Sequence, residues 1–309
     1  MLELSNDKFA IYNCDCYDML RNMPDNSVDF QVYSPPFATL YVYSDDLRDL
    51  GNCKDYDQFF EQYQEIIKET LRVLRPGRLA AVHCKQLPKY KSQWGVSGWY
   101  DFRGDIIRNY EQAGFQYHSE VVIWTDPVFE MQRTKTQRLL YCNLRRDASL
   151  SGIGTPEYLC IFRKWDDKNE DKEIPVRHYR DEKECKEQNG DTRNIMSLED
   201  WQKYASPVWF DIRRIDVLNG RIAREDTDEK HICPLQLEVI RRAIKLWTNP
   251  GEIVFSPFMG IGSEGYVALE QGRRFIGCEL KTAYYKQAES NLKTMYNEQN
   301  APSLFENAD

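Results

Sequence analysis

No apolar run in the chain approaches the roughly 18 residues that a membrane-crossing helix needs. Its start, MLELSNDKFAIYN, lacks the basic opening and apolar stretch of a secretion signal. A cytoplasmic location without membrane contact is therefore expected. Histidine is scarce: the four residues, at 83, 118, 178 and 231, include no two close enough in sequence for a metal pair. The nine cysteines are odd in number and scattered, and the one close pair, Cys14 and Cys16, has a spacing unlike zinc or thioredoxin motifs. Neither a metal site nor a disulfide scaffold is expected, and the thiols read as reduced core residues. A basic excess is missing as well. With 41 Lys and Arg against 49 Asp and Glu, the net charge of −8 argues against a protein that coats nucleic acid non-specifically. One local basic surface remains compatible with it.

What is present is an ordinary polar-surfaced globular composition: 309 residues, 41% hydrophobic and 29% charged, with a mean hydropathy of −0.67. A chain of this length buries a sizeable core without staples, as one large α/β domain or two smaller ones. Strand patterns at 9–13, 28–33, 78–84, 116–125 and 157–164 alternate with helical periodicity at 16–23, 55–75 and 101–113. Such alternation implies βαβ units and a mostly parallel, doubly wound sheet. Residues 166–200 are rich in Asp, Glu and Lys and read as a solvated insertion or a substrate-facing variable segment. Order returns from 231, with helix 233–247, strand 251–255, helix 264–271, strand 274–280 and a last helix at about 282–296.

Two loops carry chemistry. Ser34-Pro35-Pro36-Phe37 directly follows the strand VDFQVY. The proline pair pins the backbone and leaves carbonyls without competing amide donors. Beside it stand one hydroxyl and one aromatic face, a set that suits a planar amidine-like group: Ser34 and the Pro35 carbonyl hold an exocyclic NH2 while Phe37 stacks on the ring. The bland reading is a rigid turn plugged by a phenylalanine. The second loop, Ser256-Pro257-Phe258-Met259-Gly260-Ile261-Gly262-Ser263, joins the strand GEIVF to a helix. Its glycines permit a tight turn and close approach of a ligand at a helix N-terminus, and Glu279 ends the next strand where a nucleotide-binding fold places its ribose acceptor. Gly260, Gly262 and Gly265 also satisfy G-x-G-x-x-G formally, which keeps a nicotinamide enzyme as a rival.

The stretches CDCYDMLRNMPDNSVDFQVYSPPF, LRVLRPGRLAAVH and HICPLQLEVIRRAIKLWTNPGEIVFSPFMGIGSEGYVALEQGRRFIGCEL resemble the DNA amino-methyltransferases that modify exocyclic amines, in the permuted order with the catalytic loop before the cofactor loop. The resemblance implies an S-adenosylmethionine-dependent Rossmann-like domain. Residues 1–165 would be its catalytic half, 166–225 a variable insertion and candidate target-recognition segment, 226–297 its cofactor half and 298–309 a polar tail. It implies Ser34, Pro35, Pro36 and Phe37 as the catalytic loop. It also implies cofactor contacts from Phe258, Met259, Gly260, Ile261, Gly262 and Ser263 near the methionine part, Glu279 at the ribose, Asp15 at the adenine amine and His231 near the methionine end. Asp15 reads equally as a helix cap. The chain departs from the family at Ser256, where an aspartate is usual, and at Gly260-Ile261-Gly262-Ser263, where Gly-Ser-Gly-Thr is common. If a charge is required beside the cofactor's ammonium, Glu264 is the nearest acid in sequence.

A serine opening the first loop is associated in that family with cytosine N4 products, which makes cytosine N4 the preferred target and adenine N6 the alternative. The partner is then double-stranded DNA with the target base flipped out. Arg133, Lys135, Arg138, Arg145 and Arg146, and a second group of Arg213, Arg214, Arg221 and Arg224, are the candidate phosphate contacts. Each group reads equally as a solvated face. A homodimer, a catalytically inactive DNA-binding relative and an enzyme acting on RNA or a protein amide stay open.

Overall fold

The computed structural model describes residues 2–37, 49–134, 141–150, 152–165, 175–178, 196–220 and 234–300, without the side chains of 93, 131–134 and 150. Eleven strands occur in it: β1 (Leu2–Ser5), β2 (Phe9–Asn13), β3 (Val28–Tyr33), β4 (Leu74–Lys85), β5 (Leu87–Lys89), β6 (Gly98–Tyr100), β7 (Gln116–Ile123), β8 (Glu157–Arg163), β9 (Val208–Trp209), β10 (Ile253–Ser256) and β11 (Arg274–Glu279). Nine form one sheet in the order β1-β2-β11-β10-β3-β4-β8-β7-β9, and β5 pairs with β6 separately. Strands β2, β11, β10, β3 and β4 are mutually parallel. Strand β8 runs antiparallel to both β4 and β7, and β1 runs antiparallel to β2. The fold is thus mixed but mostly parallel at its centre, as the alternating pattern predicts.

Helices cover both faces. Leu237–Trp247, Ser263–Glu270 and Thr282–Asn300 pack on one, against Phe30, Val32, Val254 and Phe275. Cys16–Asn22, Tyr56–Val73 and Phe102–Ala113 pack on the other, against Val28, Tyr33 and Phe255. Every residue of β3 is buried, the condition of a parallel strand covered on both sides. Its two polar residues are therefore obliged to find partners. Gln31 donates to the Thr70 carbonyl at 2.7 Å. Asp29 accepts the Ile253 amide of β10 at 2.8 Å and the Arg75 guanidinium at 2.6 Å, while Arg78 bonds Glu252 alongside.

Strand β4 begins at Leu74, four residues before the expected start. Its pairing with β3 jumps from Val28–Leu74 to Phe30–Leu79. This irregularity lets Pro76 and Gly77 lie inside a strand that would otherwise exclude them. Of residues 166–200, read as a solvated insertion or a variable segment, most lie outside the described residues. The described part of 166–225 carries the helix Leu198–Tyr204 and β9, which extends the sheet edge beside β7. Arg242 of the helix Leu237–Trp247 stacks on Tyr204 and Trp209 and pairs with Asp211 at 2.8 Å. The last helix runs to Asn300, beyond the expected 296. Among the described residues no helix is long and apolar enough to cross a membrane.

The chain leaves β10 toward β11 and leaves β3 toward β4, in opposite directions along the sheet. A ligand crevice is expected where such connections diverge, at the carboxyl ends of the two adjacent strands. Asp29→Ala removes the carboxylate that joins these strands and leaves buried Arg78 with one partner fewer. A loss of about 3 kcal/mol is expected in urea unfolding, with a smaller loss for Arg75→Ala because Arg75 is partly exposed.

Candidate active site

Strand β3 ends in Ser34-Pro35-Pro36-Phe37, with Pro35 buried and the other three half-buried. Phe37 leans on Phe102, ring centroids 6.3 Å apart. Ser34 Oγ lies 2.9 Å from His83 Nδ1 near the carboxyl end of β4. His83 Nε2 lies 3.2 Å from Oε2 of Glu157. Because β8 is antiparallel to β4, its first residue, Glu157, stands at this same end of the sheet. Gln236 donates to the same carboxylate oxygen at 3.1 Å, and Arg214 Nη2 approaches the other oxygen at 3.6 Å. Burial opposes ionisation of Glu157, but the His83 hydrogen bond and the charges of Lys85 and Arg214 outweigh it. They hold the carboxyl well below the usual range. His83 and Glu157 were not singled out from the sequence. The one signal available was an acid opening the mostly apolar strand EYLCIFR.

The second loop leaves β10 beside the first. Register pairs Val254 with Phe30 and Phe255 with Gln31, so Phe258 emerges next to Tyr33, ring centroids 5.9 Å apart. Gly260 and Gly262 take φ of 52° and 85°, a region that disfavours other residues. Their surroundings differ. A Cβ on Gly262 would stand 2.7 Å from Leu292 Cδ1, whereas one on Gly260 would meet nothing within 4 Å. Gly262 is needed for packing, and Gly260 leaves open space above the backbone. Gly265 is a packing residue too, since a Cβ there would stand 2.6 Å from Phe275. Glu279 accepts the Gly260 amide at 3.0 Å through one oxygen and the Lys281 amide at 2.9 Å through the other.

Several of the expected contacts are buried or engaged elsewhere in the fold. Met259 joins the core, Ile261 packs on Tyr284, and Ser263 is 3% exposed. Ser256 is fully buried and its hydroxyl has no hydrogen-bond partner. Asp15 caps the helix Cys16–Asn22, accepting from the amides of Tyr17 and Asp18. Glu264 is 4% exposed. Burial raises its carboxyl to about 8, aided by the negative charge of Glu279, and burial raises Glu279 to about 7. Two acids with unbalanced burial beside an open backbone cradle suit a ligand that brings positive charge and hydroxyl donors.

Of the candidate phosphate contacts, Arg145, Arg146 and Arg213 are exposed. Arg214 is a correction: it faces inward, 3.8 Å from Glu130 and 3.6 Å from Glu157, with its guanidinium over Phe129. Two carboxylates and an aromatic face hold it better than water would. Lys135, Arg138, Arg221, Arg224 and His231 lie outside the described residues, as does the side chain of Arg133. No group of three metal-ligating side chains occurs among the described residues.

A doubly wound sheet with a glycine cradle and a terminal acid on one central strand pair, and a polar acceptor loop on the neighbouring strand, is the architecture of an α/β protein built to hold a nucleotide-type cofactor. The profile of the DNA methylase family N6_N4_Mtase matches residues 28–290. The chain belongs to that family, whose members are S-adenosylmethionine-dependent enzymes. The type II methyltransferase M.BglII of Bacillus subtilis is 27% identical over 276 residues, which cover 89% of this chain and 66% of M.BglII. The DNA adenine methyltransferase YhdJ of Escherichia coli (strain K12) is 24% identical over 285 residues, covering 91% of this chain and 81% of YhdJ. Among solved structures, TTHA0409 from Thermus thermophilus, complexed with S-adenosyl-L-methionine, superposes with a TM-score of 0.65 at 20% identity, covering 92% of this chain and 93% of its own. The cytosine-N4-specific PvuII DNA methyltransferase gives 0.55 at 16%, covering 94% and 92%. Both structures share the fold.

The raised carboxyls set a pH dependence. Between the unfolded carboxyl range and the folded values of about 7 and 8, the folded chain binds more protons than the unfolded one. Stability therefore falls as pH rises through that window. Thermal unfolding of the ligand-free protein is expected to show a declining midpoint from pH 5 to pH 8, and Glu264→Gln is expected to flatten the decline.

Proposed function

We propose that the chain transfers a methyl group from S-adenosylmethionine to an exocyclic amine of a base flipped out of double-stranded DNA, with cytosine N4 as the target. The observation that carries this reading is the adjacency of the two loops: the Ser34 acceptor and the Gly260–Glu279 cradle leave neighbouring parallel strands at the same end. S-adenosylmethionine, when bound, supplies an electrophilic methyl group on a sulfonium centre. The half-buried Glu279 would receive its ribose hydroxyls, and the open backbone at Gly260 would admit it closely. Glu264 would supply the negative charge that buried Ser256 does not. In both acids burial outweighs the backbone amides they accept, so a cationic ligand would relieve each.

On the other side, Ser34 Oγ and the Pro35 carbonyl accept the N–H groups of the target amine. The lone pair of that nitrogen is delocalised into the ring, and hydrogen bonds accepted from it draw the pair back toward nitrogen. Such fixed acceptors act chiefly in the transition state. Phe37 provides the face for the extruded ring, whose unstacking costs a few kcal/mol. Exposed Arg145, Arg146 and Arg213 would contact phosphates and make binding fall with salt. The choice of cytosine rests on Ser34 and on the PvuII enzyme. Adenine N6 is the second reading, favoured by the match to YhdJ, because both bases set an amine beside a ring acceptor.

Nucleoside mass spectrometry of duplex DNA treated with protein and S-adenosylmethionine is expected to show N4-methylcytosine. N6-methyladenine instead would overturn the base but keep the class, and 5-methylcytosine would overturn the mechanism. Ser34→Ala is expected to lower turnover on the order of 10²-fold with cofactor affinity retained. Glu279→Ala is expected to weaken cofactor binding by about 1.5–3 kcal/mol in calorimetry.

A further inference from the structure

The catalytic loop is backed by three residues from three different strands: Ser34 after β3, His83 on β4 and Glu157 at the head of β8. The hydrogen bonds of 2.9 Å and 3.2 Å link them in one line, Ser34 Oγ to His83 Nδ1 and His83 Nε2 to Glu157 Oε2. We propose that His83 and Glu157 form a proton-accepting relay behind Ser34, carrying away the proton that the amine must lose when it is methylated. The proposal rests on the methyl-transfer reading.

The line has a direction. Glu157 is 6% exposed and ionised, so its oxygens only accept. Nε2 of His83 then carries a ring proton, and in the neutral ring Nδ1 is a bare acceptor. The Ser34 hydroxyl therefore donates to Nδ1 and turns its oxygen lone pairs outward. That orientation makes Ser34 an acceptor toward an incoming N–H. Formation of the N–C bond, with the C–S pair passing to sulfur, leaves the amine nitrogen positively charged with one proton in excess. That proton passes to Ser34 Oγ while the serine proton passes to His83 Nδ1. The imidazolium so formed is balanced by Glu157, and the serine is restored as neutral hydroxyl.

A Ser-His-acid line is also the arrangement of acyl-transfer nucleophiles. Here the two residues after the serine are prolines, which have no N–H. The backbone donors that such a nucleophile needs for an oxyanion are absent at that position. Acceptance of a proton is what the loop can do. The charged groups facing the relay are Lys85 on the same strand as His83, Glu130 on the helix Pro127–Thr134, bonded to Lys85 at 2.7 Å, and Arg214 after β9. Gln236 completes the surroundings of Glu157.

Two measurements test the relay. Nitrogen-15 NMR of the imidazoles in the ligand-free full chain reads the tautomer without any turnover. His83, assigned by its loss in His83→Gln, is expected to show a protonated Nε2 and a bare Nδ1 at neutral pH. A protonated Nδ1 in a neutral ring would overturn the proposal. The second measurement is the split between kcat and KM for methyl transfer. His83→Gln is expected to lower kcat on the order of 10²-fold and leave KM for S-adenosylmethionine unchanged. Glu157→Gln is expected to lower kcat by a smaller factor, with KM again unchanged. A kcat unchanged in both variants, or a loss carried by KM instead, would overturn the relay. A parent protein that methylates no base would instead overturn the functional reading, with the tautomer still deciding whether the line is built as described.

Discussion

The parallel pairing of β3 with β10 is the constraint on which the site depends. These strands are more than two hundred residues apart in sequence, yet their carboxyl ends release the two loops side by side. Few residue pairs define the contact, and much of its specificity comes from Asp29, whose carboxylate takes the Ile253 amide and a guanidinium together. A slip by one residue would turn every side chain of either strand to the opposite face. Asp29 and Gln31 would then enter apolar layers without partners, so the register of a fully buried strand is enforced by its own polar residues.

The two halves of the crevice have opposite electrostatic character. Around Ser34 the acids are balanced: Glu157 has His83, Gln236 and Arg214, and Glu130 has Lys85. Around Gly260 they are not, and Glu264 and Glu279 hold their protons toward neutral pH. A half whose charges are already matched is rigid and suited to orienting a neutral amine. A half with excess negative charge gains most when a cationic ligand enters, because ligand charge then relieves a burial penalty that folding left in place.

Arg214 joins the inserted segment to this arrangement. It reaches from the residues after β9 to both Glu130 and Glu157, so the segment expected to read DNA touches the support of the catalytic loop. The same segment is anchored from behind, where Arg242 is held between Tyr204 and Trp209. The described part of this segment is thereby built into the edge of the sheet.

The local sequence determined the elements and the two loops. Strands FAIYN and VDFQVY have the bounds their apolar patterns indicate, because each is short and closed by residues that cannot continue it. The alternation of strands and helices, the double-proline turn and the glycine cradle were legible for the same reason: each depends on neighbours within a few residues. The long-range contacts were not. That Gly260 faces open space while Gly262 meets Leu292, that Ser256 is sealed and Arg214 turned inward, and that His83 stands between Ser34 and Glu157, are outcomes of how strands and helices stack. No spacing in the chain encodes them, since a strand pattern specifies which face a side chain takes but not which strand lies beside it. Tertiary pairing decided that, through the burial of polar groups that only one arrangement satisfies.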